Sequence, residues 1–255
     1  MAQWLLVAAT VLVVLGGVLG LQAVRHGHRS GWTVVCMLGA FVCQLGFLGM
    51  RGELRGKCPL GDYGEILVFL AWSLVLFYLV VGPAYRLSLL GLFTAPVVVI
   101  FQVVALAPGM LEASPEKVHV VDAWGEAHAA FSVLSYGAFA LGAVAALMFL
   151  VLNRKLKHHE FGSKLFNNLP PVRSLLDSVV RLTSLGAGIL TVGIVAAFMM
   201  EWRDDSVPHL VAAVATWAAY LVVLGLHFWR GITPRRLSIS VMSLFVLSLL
   251  VFAFV

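Results

Sequence analysis

Histidine is the side chain whose proton equilibrium lies nearest neutral pH, and it is also a common metal ligand. Two histidines here stand where apolar runs begin: His128 in 124-WGEAHAAFSVLSYGAF-139, and His209 directly after Pro208. His128, Ser132 and Ser135 follow an i, i+4, i+7 spacing, which places them on roughly one helical face. An imidazole at that position has three readings: an axial ligand of a haem iron, a proton-responsive group, or a donor bonded across helices. His128 and His209 fall at one membrane level on different helices, so together they either bracket one metal or bind lipid headgroups. Trp124 and Trp202 are the aromatic residues near them that could line a planar ligand. His227 is eighteen residues beyond His209, a rise of ~27 Å, so one ligand cannot use both. With Trp229 and Arg230, His227 reads as an interfacial anchor.

A second group sits in 51-RGELRGKCPLGDYGEILVFLAW-72, where Arg51, Glu53, Arg55, Lys57 and Asp62 precede an apolar run. Glu65 has two readings. In the first turn of a helix it satisfies free amides and complements the positive helix end. Paired with Arg51 or Arg55, it folds an external loop, 51–63, back over the helix mouths. Pro59 then makes a rigid corner with Cys58.

These residues are set in a chain of 255 residues, 61% hydrophobic and 11% charged, against about 25% charged in a soluble domain. Its ionisable groups are segregated, leaving apolar windows near the ~20 residues that a helix needs to cross a bilayer. The fold class expected is all-α: a polytopic integral membrane helical bundle, one transmembrane domain over 1–255. About eight helices are expected, at 2–24, 31–50, 64–82, 87–108, 124–151, 182–200, 209–229 and 237–255. The first is read as a span rather than a cleaved leader, since no basic segment precedes it. One set of loops holds twelve Lys or Arg and the other five. The positive-inside rule then puts both termini outside, in the extracytoplasmic space, and the basic loop 153–181 in the cytoplasm.

In that loop "LKHHE" reads as a headgroup-facing surface more simply than as a metal site, because the adjacent His158 and His159 diverge on a helix. Pro170–Pro171 separates it from the amphipathic "VRSLLDSVVRL", expected to lie along the membrane surface. Gln44 and Gln102, inside spans, are each expected to make an interhelical hydrogen bond. Three cysteines without a Cys-x-x-Cys pair give no disulfide framework. The chain also lacks a phosphate loop, a dinucleotide fingerprint and an HExxH motif. No catalytic set is assigned, and the net charge of +5 has a topological explanation that requires no nucleic acid.

Six segments, in order, resemble the CcsA/HemX-like family of cytochrome c assembly membrane proteins, in a short, degenerate inner-membrane branch. They are "MRGELRGKCPLGDYGEILVFLAW", "YRLSLLGLFTAPVVV", "HAAFSVLSYGAFALGAVAALMFL", "LPPVRSLLD", "TSLGAGILTVGIV" and "HLVAAVATWAAYLVVLGLHFWRG". The resemblance implies haem handling for c-type cytochrome maturation at the outer face of a bacterial inner membrane. His128 matches the histidine that precedes the family's tryptophan-rich external segment, and "EWRDDSVPHL", with Trp202, stands in that segment's place. The implied cofactor is haem, with His128 and His209 as metal ligands and Trp124 and Trp202 beside it. The implied partners are membrane lipids and other cytochrome c assembly subunits or a haem synthesis enzyme. The alternative role is a non-catalytic scaffold or accessory subunit.

Overall fold

A computed structural model describes residues 2–26, 31–84, 88–112, 117, 121–157, 172–200 and 207–249. They form eight helices: α1 (Ala2–Arg25), α2 (Gly31–Arg55), α3 (Tyr63–Ala84), α4 (Ser88–Ala105), α5 (Ala123–Lys157), α6 (Val172–Met199), α7 (Val207–Arg230) and α8 (Pro234–Ser248). Six of these, α1, α2, α3, α5, α6 and α7, are long and apolar enough to cross a membrane, and α4 is a shorter apolar helix. Three boundaries differ from the sequence expectation by five residues or more among the described residues, one of them the end of α5, which runs to Lys157 rather than 151. Helix α2 continues through Arg55, so Arg51 and Arg55 project from helix rather than loop. Helix α6 starts at Val172 and runs unbroken to Met199, so the amphipathic stretch is the first third of a span, not a separate surface piece. The "LKHHE" histidines lie outside the described residues.

The chain divides into two compact units, residues 1–119 with 152–174, and residues 120–151 with 175–255. In the first, α1 packs on α2, α2 on α3, α3 on α4, and α4 back on α1. The α1–α2 contact uses a Gly-xxx-Gly face, which lets backbones approach where no water drives association. A Cβ on Gly16 would meet Cys36 Cβ at 3.0 Å, and one on Gly20 would meet Thr33 Oγ1 at 3.1 Å. Thr33 Oγ1 uses the close approach to donate to the Gly16 carbonyl at 3.1 Å. Gly56 ends α2 at φ 68°, where a left-handed residue is needed to turn the chain.

The glutamines depart from expectation. Gln44 and Gln102 are fully buried, yet neither amide has a hydrogen-bond partner among the described residues. An unsatisfied buried polar group costs about 1–3 kcal/mol. Gln44→Met, which keeps the volume and removes the orphaned atoms, is therefore expected to stabilise the protein by about 1–2 kcal/mol. Denaturant unfolding in detergent followed by helical circular dichroism measures this. A destabilised variant would mean that Gln44 is bonded after all.

In the second unit, α5 and α7 meet through Phe139 and Tyr220, whose rings stack at 3.8 Å and 5°. Trp217 Nε1 donates to Thr191 Oγ1 at 2.8 Å, joining α7 to α6. At the end of α7, Phe228 and Trp229 are exposed. Gly231 at φ 61° ends that helix.

Candidate functional site

Helix α5 opens on Asp122, whose Oδ1 accepts from the amide of Trp124 at 3.0 Å and whose carbonyl accepts from Glu126 at 3.0 Å. This cap sets the helix phase, and with it the direction of the side chains one and two turns on. Trp124, His128 and Phe131 then share a stripe at i, i+4 and i+7. Trp124 is 47% exposed and Phe131 38%, with His128 half-buried between them.

Opposite lies Gly193 of α6. A Cβ there would meet Ser132 Oγ at 3.2 Å and the Ser132 amide nitrogen at 3.3 Å. The missing side chain lets the helices close, and the Gly193 carbonyl oxygen comes to 2.9 Å from His128 Nδ1. A carbonyl only accepts, so Nδ1 carries the hydrogen. The neutral ring then has its lone pair on Nε2, the arrangement that second-shell bonds impose on ligating histidines. Of the other polar groups on this face, Ser135 is spent on the Ser132 carbonyl at 2.6 Å.

The other candidate residues are placed less fully. His209 lies in the first turn of α7; its side chain, and Trp202 altogether, lie outside the described residues. Among the described residues there is no group of three His, Cys, Asp or Glu that could hold a metal ion. A haem iron takes few ligands from a protein, and the chemistry of His128, with Nδ1 bonded and Nε2 left to accept, is compatible with holding one.

The charged cluster in the first unit is fully built. Asp62 caps α3, its Oδ1 accepting from the Glu65 amide at 2.7 Å. Glu65 Oε1 accepts from Arg51 Nε at 2.5 Å, and Arg55 Nε lies 2.7 Å from Oε2. Oε2 also takes the Gly61 amide at 2.9 Å. Asp62 Oδ2 receives Arg51 Nη2 at 2.8 Å and Arg55 Nη2 at 2.9 Å. The chain after α4 is drawn in as well: Arg51 Nη1 donates to the Glu112 carbonyl at 2.8 Å, and the Glu112 amide donates to Asp62 Oδ2 at 3.1 Å. Gly64 must be glycine here, because a Cβ would stand 2.5 Å from the Met110 carbonyl oxygen. Both readings of Glu65 hold at once: it sits in the first turn of α3 and pairs with both arginines. Sequence reasoning missed Asp62 and Glu112. Every carboxylate oxygen of Asp62 and Glu65 is used, which makes this a clasp of α2, α3 and the segment after α4 rather than a catalytic group.

Comparison with known proteins shows the family. The family model for "Cytochrome C assembly protein" matches residues 60–255. The chain is similar to the cytochrome c biogenesis protein CcsA of Crocosphaera subtropica, at 28% identity over 79% of this chain and 78% of the relative. It is similar to that of Gloeobacter violaceus at 25% identity, over 91% of this chain and 85% of the relative. That of Porphyra purpurea is 27% identical over 75% of this chain and 74% of the relative.

Proposed function

Because the chain belongs to the cytochrome c assembly protein family, we propose that it is a membrane factor in c-type cytochrome biogenesis that binds or handles haem through His128, near the outer membrane face. The observation that carries this reading is the 2.9 Å contact of His128 Nδ1 with the Gly193 carbonyl. It leaves Nε2 as the free lone pair, on a stripe where Trp124 and Phe131 offer exposed aromatic surface. His128 and His209 would hold the iron, and Trp124 and Trp202 would offer aromatic surface to the porphyrin. Bound haem would supply the iron porphyrin that a c-type cytochrome receives; the protein's part is to hold it and keep its ligand oriented. The relatives are named as cytochrome c biogenesis proteins, which supports this assignment over transport. Partners in this reading are membrane lipids and other assembly subunits or a haem synthesis enzyme. The location is the bacterial inner membrane with both termini outside.

One observation favours a second reading. The same bond to Gly193 is what a purely structural histidine would make across two helices, and the protein would then be a non-catalytic scaffold or accessory subunit. Absorption spectra of the detergent-purified protein, oxidised and dithionite-reduced, separate the two. We expect a Soret band in the wild type that is lost or shifted in His128→Ala. No band after expression with ample haem would overturn the haem reading in favour of the scaffold. A band unchanged in His128→Ala would move the iron to another residue.

A further inference from the structure

The first unit carries an open groove between α1 and α4, of about 270 Å³, that the haem reading does not use. Its walls are apolar: Val13, Val14, Val18 and Leu21 from α1, and Leu92 and Val99 from α4. Gly17 and Ala95 form its floor, so close that a Cβ on Gly17 would stand 3.2 Å from Ala95 Cβ. Pro96, inside α4, has no amide hydrogen, so the Leu92 carbonyl has no partner four residues on.

The setting of the groove chooses the occupant. Its lining on α1 spans Val13 to Leu21, a length of ~12 Å at 1.5 Å per residue. It is apolar and open along one side, and α1 is apolar enough to stand in a bilayer, whose extended hydrocarbon chains can lie along such a furrow.

Charge decides what the chain is attached to. Val14, Val18, Leu21 and Arg25 recur at i, i+4, i+7 and i+11, one stripe of α1. Val14 is 45% and Val18 46% exposed, and Arg25, the basic residue of the last turn of α1, is exposed as well. The groove therefore runs along the helix toward a guanidinium at the headgroup level, which offers a phosphate fork-shaped donors. We propose that this groove binds one acyl chain of an anionic phospholipid, with the headgroup phosphate on Arg25.

The experiment is native mass spectrometry of the purified protein after exchange with equal amounts of phosphatidylglycerol and phosphatidylcholine. The wild type is expected to retain phosphatidylglycerol about tenfold over phosphatidylcholine, a free-energy difference of about 1.4 kcal/mol. Arg25→Gln should bring the two to parity. Val18→Phe, a larger apolar side chain at an exposed position, should fill the groove and lose both lipids. Val42→Phe, equally lipid-facing on α2 and away from the groove, should retain lipid as the wild type does and controls for folding. Equal retention of the two lipids by the wild type would overturn the proposal, as would unchanged retention in Val18→Phe. Retention of a copurified isoprenoid quinone, sensitive to Val18→Phe and not to Arg25→Gln, would overturn it too.

Discussion

Glu65→Ala is expected to lower the unfolding free energy by about 3–5 kcal/mol, the usual result of removing one partner from a buried ion pair. The Glu65 side chain is fully buried, and those of Arg51 and Arg55 are only 6% and 8% exposed. Deleting the carboxylate strands two guanidinium groups facing one remaining, partly buried acid, Asp62, and frees the Gly61 amide. Glu65→Gln keeps an acceptor for one arginine and loses the charge, so it should fall between wild type and Glu65→Ala. Glu112→Gln supplies the contrast. Its carboxylate is 55% exposed and 3.5 Å from Arg55, and its backbone contacts survive the substitution, so the loss should stay below about 1 kcal/mol. Denaturant unfolding in detergent ranks the three. Equal losses at Glu65 and Glu112 would refute the clasp as the determinant of this end of the first unit.

The clasp also shows how far local sequence reaches. The pairing of Glu65 with Arg51 and Arg55 was legible, because carboxylate and guanidinium flank one short turn. Asp62 carried a readable sign: three residues before Glu65, it has the spacing of an N-terminal cap with its matching acid. Glu112 carried none, since the fifty residues that separate it from Asp62 are closed by tertiary packing, α3 on α4, which no local pattern shows. The start of α6 was misplaced for a physical reason. Arg173, Asp177 and Arg181 suggest a surface helix, yet no Gly or Pro interrupts the stretch from Val172 to Leu185, so the backbone continues as one helix. His128 could be singled out from its type and position alone. Its partner could not: Gly193 offers only a backbone carbonyl, sixty-five residues away. The glutamines failed in the opposite sense: a polar side chain in a span does not by itself guarantee a partner among the described residues.

Phe139→Ala should be comparably destabilising in the second unit, by about 3–5 kcal/mol. The Phe139 ring is fully buried, stacked on Tyr220 at 3.8 Å, and meets the Tyr136 ring edge-on at 6.2 Å. Within a membrane the energy comes from close packing rather than from release of water, and truncation leaves the facing rings without partner atoms. The ring also occupies the space over Gly186, where an added Cβ would come within 2.6 Å of it. This makes the contact separable from a general packing defect. Gly186→Val alone forces a bulky group against a ring that is also stacked on Tyr220, and should cost about 1–3 kcal/mol. Combined with Phe139→Ala, the valine methyls enter the cavity that the ring vacates, so the double variant should be more stable than the sum of the two losses implies. Such coupling between touching residues is commonly about 0.5–3 kcal/mol. Strict additivity in the unfolding free energies would mean that α5 and α6 are not registered through this pair. The same helices meet again where Gly193 reaches His128, so their register is what keeps the imidazole's lone pair on Nε2.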